Sequence, residues 1–213
     1  MTSFPTVVQL YVNGTLQALL LLVTSAALAT LIGLVLTAID VGGPRWGGWI
    51  IRAYSWLAQT TPPLILLFLA FYGSSAFNWQ ISPMLAAIIA FTFFSAADYF
   101  EIFRASFNGI HPGQFEAAKA LGVPVPHLVF KVVLPQMWRI AAGPYVGRTT
   151  VLFKETSLAS AISASEIMSV TNGFIYSGGN PLLYVAVAGI IYCTLNIALI
   201  RLERHLSARY AAQ

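Results

Sequence analysis

Residues 15–39 form an uninterrupted run without a single charged side chain. A helix needs about 20 consecutive, mostly apolar residues to cross the hydrocarbon core of a bilayer, which is about 30 Å thick, because it rises about 1.5 Å per residue. The rest of the chain agrees, since only 8% of its 213 residues are charged, against about 25% in soluble domains. The sequence therefore predicts an all-α membrane protein.

Four further runs have the length and polarity of membrane helices. The second run is interrupted by the sequence TTPP at residues 60–63, and the fourth is the least hydropathic because it contains Arg148, Lys154 and Glu155. Length favours one transmembrane domain, residues 1–213. The five predicted spans are residues 15–39, 49–72, 83–103, 136–157 and 181–200.

The basic residues predict the direction of these spans. They occur after the first, third and fifth spans, whereas residues 1–14, 73–82 and 158–180 contain no Lys or Arg. Because cytoplasmic loops are enriched in Lys and Arg, we expect the N-terminus outside, the C-terminus cytoplasmic, and residues 158–180 to form an external loop. The basic residues that carry this prediction are Arg45, Arg52, Arg104, Lys119, Lys131, Arg139, Arg201, Arg204 and Arg209.

Several functional classes lack their sequence signals in this chain. Cys193 is the only cysteine, so neither a disulfide nor a cysteine-based metal site is expected. There is no G-x₄-G-K-[ST] phosphate loop, no H-E-x-x-H and no G-x-S-x-G, so we expect no ATPase, catalytic or metal site in this chain. The basic residues are scattered, which argues against nucleic-acid binding. The N-terminus has no basic n-region and is not expected to be a cleaved signal peptide.

One cytoplasmic segment, residues 111–135, is unusually rich in helix breakers. A short helical pattern at residues 114–121 stops at Gly122 and is followed by Pro124 and Pro126. A second short helix is predicted at residues 127–134, ended or kinked at Pro135. On composition alone, the segment could be a simple connecting elbow.

The spacing of this segment matches the signature E-A-A-x₃-G-x₉-I-x-L-P, with Val132 in place of Ile. It resembles the membrane subunits of ABC importers, whose short cytoplasmic helix docks into a groove of the ATPase subunit. We name residues 111–135 the coupling segment. The resemblance implies that its ATPase-coupling residues are Gly113, Glu116, Ala117, Ala118, Gly122, Leu134 and Pro135.

The resemblance extends to one subfamily, the permeases for polar amino acids. Its motifs are similar to NGTL at residues 13–16, QTTPPL at 59–64, EIFR at 101–104, GQFEAA at 113–118 and KETSL at 154–158. Some matches carry exchanges, such as Gln59 and Thr60 for Arg and Gly, and Glu155 for Asp. Two departures from the family pattern matter most: Asp98 replaces a usual aromatic residue, and Gly147-Arg148 replaces Asn and a polar or acidic neighbour.

This resemblance implies a permease subunit in a bacterial inner membrane that moves a polar amino acid or a related derivative inward. It also implies a second permease subunit, identical or homologous, two cytoplasmic ATP-binding subunits that bind ATP and Mg, and an external binding protein. No cofactor is expected in this chain. The alternatives are an ABC permease for another small solute and an ion-coupled secondary transporter, although the chain lacks the internal repeat common in the latter.

Ionisable side chains inside the predicted spans are candidate pathway residues, because each costs about 2.5–3.5 kcal/mol at mid-membrane on insertion scales. Arg148 and Glu155 share a helical face and could either line the pathway or only hold helices together. Glu101 could form a structural salt bridge with Arg104, and the TTPP break could be a substrate site or a packing kink. The candidate pathway residues are Thr61, Pro62, Asp98, Glu101, Arg148, Lys154, Glu155, Thr156 and Ser157.

Overall fold

The computed structural model describes residues 4–211, which form α-helices joined by short connections and contain no β-strand. The predicted all-α class is confirmed. The outermost residues of the predicted domain, 1–3 and 212–213, and the Arg209 side chain lie outside the described part. The helices are α1 (Phe4–Gly42), α2 (Arg45–Thr60), α3 (Pro63–Ala76), α4 (Pro83–Asn108), α5 (Gly113–Ala120), α6 (Val125–Leu128), α7 (Leu134–Glu155), α8 (Ile167–Tyr176) and α9 (Pro181–Ala211).

Three of the described helices, α1, α4 and α9, are long and apolar enough to cross a membrane, and the bent pair α2–α3 is a fourth if it forms one span. Helix α7 has the length of the predicted fourth span, but its Arg, Lys and Glu side chains lower its hydropathy. The fourth span, at α7, the total of five spans and the orientation of the termini therefore remain predictions from the sequence.

Helices α1 and α4 form the main helix pair of the bundle, and small side chains let them approach closely. At Gly33, an added Cβ would lie 3.0 Å from the backbone nitrogen of Phe100 and 3.1 Å from the Cβ of Tyr99. Both neighbours are themselves fully buried. The α1–α4 spacing therefore depends on the absence of a side chain at residue 33.

Replacing Gly33 by leucine should lower the melting temperature of the purified protein, because the added side chain overlaps the α4 backbone. Overpacking typically costs about 1–3 kcal/mol. Gly73→Leu is the matched control, since an added Cβ there meets nothing within 4 Å. Thermal unfolding in detergent measures both variants. Equal melting temperatures for the two would contradict the close α1–α4 contact.

The predicted interruption at residues 60–63 is a sharp bend. The axes of α2 and α3 differ by 102°, because Pro62 and Pro63 have no N–H with which to continue α2. Thr61 is extended there, with φ −88° and ψ 126°. Its hydroxyl donates to the Leu57 carbonyl at 2.8 Å, a back-bond that satisfies one of the last carbonyls of α2.

Two local predictions were wrong. Residues 158–180, predicted as a loop, contain part of a 3₁₀ segment (Thr156–Ile162) and the helix α8, which packs against α1 and α9. The second short helix, predicted over residues 127–134 to end or kink at Pro135, does not end there. Instead, α6 continues through a π-helical turn, Val129–Val133, into α7. Pro135 lies in the first turn of α7, where its missing N–H is tolerated.

Candidate functional site

A cleft of about 400 Å³ lies where the α2–α3 bend faces α4 and α7. The bend supplies one wall, with backbone that is not part of a continuous helix, and α4 and α7 supply charged side chains. This combination of broken helix and charge within a bundle is typical of solute sites in transporters. The lining residues are Ala58, Gln59, Thr61, Pro63, Phe94, Asp98, Arg148, Val151 and Glu155.

Arg148 is the centre of the charged groups in this cleft. Its Nε donates to Asp98 Oδ2 at 2.5 Å, and its Nη1 donates to Glu155 Oε2 at 3.0 Å. Its guanidinium carbon lies 5.2 Å from the ring centroid of Phe94, within the range of a cation–π interaction. The Arg148, Asp98 and Glu155 side chains are only 17%, 23% and 21% exposed. The cluster therefore joins α4 to α7 with largely desolvated charges.

Some donor and acceptor positions of the cluster are not used within it and are available to a ligand. The Nη2 group of Arg148 makes no hydrogen bond within the described part of the chain, and its N–H groups suit a carboxylate. Asp98 and Glu155 have further acceptor positions that suit an ammonium group. Two carboxylates on one guanidinium leave this part of the cleft with an excess negative charge. The arrangement can therefore bind both ends of an amino-acid head group.

The two departures from the family pattern contact each other. Asp98 and Arg148 are separated by 50 residues in sequence but form the shortest ion pair of the cleft. An acid on α4 and a base on α7 therefore compensate one another.

Glu101 is not brought into this cleft. Its carboxylate accepts from the Ser55 hydroxyl at 3.0 Å and lies 3.6 Å from Arg104. Arg104 and Arg52 each lie 2.9 Å from the Asp40 carboxylate, at the end of α1. The structure thus places Glu101 in a separate ion-pair cluster that joins α1, α2 and α4, as the salt-bridge interpretation predicts.

The remaining candidate pathway residues lie around the cleft but do not line it. Lys154 is exposed, on a different face of α7 from Arg148. The buried Thr156 hydroxyl donates to the Phe153 carbonyl at 2.7 Å, and the Ser157 hydroxyl donates to the Lys154 carbonyl at 2.8 Å. Pro62 is exposed at the α2–α3 bend. Of the sequence candidates, the structure therefore brings together Thr61, Asp98, Arg148 and Glu155.

The coupling segment presents a short helix, α5, on the surface. Glu116 and Ala117 are exposed, Gly113 is half-buried, and Ala118 is buried on the opposite face of α5. Gly122 has φ +63°. Its N–H donates to the Lys119 carbonyl and the Val123 N–H donates to the Ala118 carbonyl, which is a Schellman helix end.

The last two residues of the signature, Leu134 and Pro135, form the start of α7. Leu134 is half-buried and donates its N–H to the Val129 carbonyl, which closes the π-helical turn. Pro135 is exposed in the next position. The EAA helix and the first turn of α7 are thus connected by α6 and this turn.

Two acidic residues of structural importance were missed by the sequence analysis. Asp40, just beyond the predicted first span, pairs with Arg52 and Arg104 in the ion-pair cluster that joins α1, α2 and α4. Glu166, inside the predicted loop, is fully buried and accepts three hydrogen bonds. The signal for Glu166 was its spacing of three residues from Ser169, which forms a capping box at the start of α8.

The chain matches known transport proteins along most of its length. Residues 29–212 match the family model described as binding-protein-dependent transport system inner membrane component. The chain is 30% identical over 210 residues to the histidine/lysine/arginine/ornithine transport system permease protein HisQ of Escherichia coli (strain K12), covering 92% of each protein. It is also 30% identical over 188 residues to the arginine transport system permease protein ArtQ of Bacillus subtilis (strain 168), covering 88% of this chain and 86% of that protein.

The fold has a close match among solved structures. A crystal structure of an amino acid ABC transporter with histidines aligns with a TM-score of 0.86 at 22% identity, covering 98% of this chain and 99% of the other. This structural similarity establishes the fold, and the family model establishes the family over residues 29–212. The chain therefore belongs to the family of binding-protein-dependent transport system inner membrane components, the membrane permease subunits of ABC importers.

Proposed function

We propose that this permease subunit conducts a polar amino acid through the cleft at the α2–α3 bend. The single observation that carries the proposal is the Arg148 cluster, which offers a guanidinium edge and two carboxylates beside a broken helix. A zwitterionic head group presents the complementary charges. The permeases HisQ and ArtQ are named for the transport of amino acids, which supports this substrate class.

The proposal includes the partners that such a subunit requires. ATP hydrolysis takes place in two cytoplasmic ATPase subunits, because this chain has no phosphate loop. The exposed face of α5, with Glu116 and Ala117, is the docking surface for one of them. A second permease subunit and an external binding protein complete the complex in the bacterial inner membrane, with the coupling segment on the cytoplasmic side.

Replacing Arg148 by glutamine tests the role of the guanidinium in substrate binding. A hydrogen bond to a charged group contributes about 1.5–3 kcal/mol, so L-arginine binding should weaken at least tenfold. Agmatine, which is arginine without its carboxylate, should lose no affinity in the variant, because it has no carboxylate for Arg148 to bind and the two remaining carboxylates attract its positive charges. Isothermal titration on the purified complex without the binding protein, well below its melting temperature, measures both ligands.

Arg139→Gln is the matched control for this experiment, because Arg139 is exposed on the same helix, away from the cleft. It should bind both ligands like the parent. Unchanged arginine affinity in the Arg148 variant would remove Arg148 from the substrate site and would favour a purely structural cluster.

ATP dependence separates the proposal from an ion-coupled transporter. In proteoliposomes, uptake should require the ATPase subunits and ATP. Uptake that continues without the ATPase subunits and follows an ion gradient would contradict the ABC mechanism. ATP-driven uptake of a different small solute, with no amino acid transported, would keep the family and reject the substrate class.

A further inference from the structure

Glu166 is a fully buried carboxylate that the proposed pathway does not use. Its Oε1 accepts from the Ser169 N–H at 2.7 Å, and its Oε2 accepts from the Met168 N–H at 2.8 Å. The same Oε2 accepts from the Tyr192 hydroxyl at 2.6 Å. The carboxylate therefore connects the start of α8 to α9.

This carboxylate lies deep in the bundle. Tyr192 is about 16 Å along α9 from Pro181, at 1.5 Å per residue. An ionisable group at such a depth is costly and usually has a function. No Lys or Arg forms an ion pair with Glu166 in the described part of the chain. Three hydrogen-bond donors stabilise it instead.

Capping α8 does not by itself require a glutamate. An aspartate or serine reaches the N–H groups of the first helical turn equally well. The additional length of Glu166 is used for the bond to Tyr192, whose ring also packs against Phe153 of α7, with centroids 5.3 Å apart. The Tyr192 bond thus adds an interhelical link to an ordinary helix cap.

Helix α1 packs closely against the start of α8 at Gly14. An added Cβ at Gly14 would lie 3.1 Å from the Glu166 carbonyl oxygen and 3.1 Å from Val170 Cγ2. The start of α8 is therefore seated on α1 and bonded to α9. Glu166 is consequently a fixed point between two long helices.

The 3₁₀ segment Thr156–Ile162 connects this fixed point to the cleft. It follows Glu155 directly and packs against α1, α3 and α4 at the end of α7 far from the coupling segment. At its other end the chain turns at Ser163, with φ +62°, and reaches Glu166. One end of the segment is held by the Glu155–Arg148 bond and the other by Glu166.

We propose that Glu166 is a positioning residue: through Tyr192 it holds the 3₁₀ segment against the end of the cleft and keeps Glu155 in place to bind the substrate. The carboxylate does not touch the substrate. Loss of the Tyr192 bond loosens the 3₁₀ segment while the cap of α8 remains.

Accessibility of the cleft tests this link. Val151 lines the cleft and is 39% exposed, so Val151→Cys in a Cys193→Ser background reports access to a charged, membrane-impermeant thiol reagent. We expect Tyr192→Phe to increase the labelling rate at least threefold. Glu166→Asp, which caps α8 but is too short to reach Tyr192, should give the same increase, and the double variant no more.

Tyr184→Phe is the matched control, since Tyr184 lies on the same helix and its hydroxyl makes no hydrogen bond to Glu166. Its labelling rate should equal that of the parent. If Tyr192→Phe and Glu166→Asp also label at the parental rate, Glu166 is only a helix cap and the inference is overturned.

Uptake adds a second measurement, which rests on the proposed function. With L-arginine as the probe, Tyr192→Phe should raise KM about fivefold with little change in the maximal rate, whereas a general folding defect would lower the maximal rate. If the parent complex transports no arginine, the proposed substrate is rejected for this probe. The labelling experiment still decides the role of Glu166, because it needs no substrate.

Discussion

Replacing Gly122 by valine is expected to lower ATP-driven uptake at least tenfold while the membrane helices remain assembled. Gly122 has φ +63°, a conformation that costs other residues roughly 1–2 kcal/mol and costs a β-branched residue more. An added Cβ meets no atom within 4 Å, so the effect comes from backbone strain and not from a clash. The strain acts on the two hydrogen bonds that end α5.

The end of α5 matters because this helix is short and largely exposed. It has eight residues, and only Ala118 is buried. Without its Schellman end, the exposed Glu116 and Ala117 lose the fixed orientation that the proposed docking on the ATPase subunit requires. Co-purification of the ATPase subunit and the ratio of transport to ATP hydrolysis measure the loss.

Gly122→Asn provides the control, because asparagine tolerates the left-handed conformation better than other residues. It should retain most of the uptake of the parent. Normal co-purification and uptake with valine at position 122 would show that the conformation of this turn is not needed for coupling.

The membrane helices and the coupling segment were accessible from the sequence because their signals are local. Each signal involves residues that are close together in sequence. The signals are the uncharged run at 15–39, the prolines at 62–63 and the spacing of Glu116 from Gly122. The i, i+7 relation of Arg148 and Glu155 on one face of α7 likewise follows from helical periodicity, and the structure shows the contact. The pathway role of these residues remains a prediction.

Contacts between helices could not be predicted in this way. Nothing in the sequence pairs Asp98 with Arg148 or Asp40 with Arg104, since periodicity describes one helix at a time. Residues 158–180 were misinterpreted for a related reason. They contain no Lys or Arg and many Gly, Ser and Asn residues, a composition typical of an external loop. Helix α8 forms there because its start packs closely against Gly14 and because Glu166 accepts a hydrogen bond from Tyr192.

The pairing of Asp98 with Arg148 predicts strongly non-additive substitutions. Arg148→Gln leaves Asp98 and Glu155 facing each other without the cation between them, and Asp98→Asn leaves Arg148 with Glu155 alone. Removing one partner of a mostly buried ion pair costs more than removing both, because it strands a desolvated charge. We expect each single variant to lower the melting temperature, with Arg148→Gln having the larger effect.

The double variant, Asp98→Asn with Arg148→Gln, should be more stable than the sum of the single effects by about 1–3 kcal/mol, the upper range for contacting residues. Thermal unfolding of the four purified proteins gives this coupling energy. The control cycle combines Asp98→Asn with Arg139→Gln and should be additive, since Arg139 is exposed and outside the cleft. Additivity in both cycles would mean that Asp98 and Arg148 do not stabilise one another. Coupling in the first cycle alone would show that the acid on α4 is stabilised by the base on α7 and not by a positive charge elsewhere on that helix.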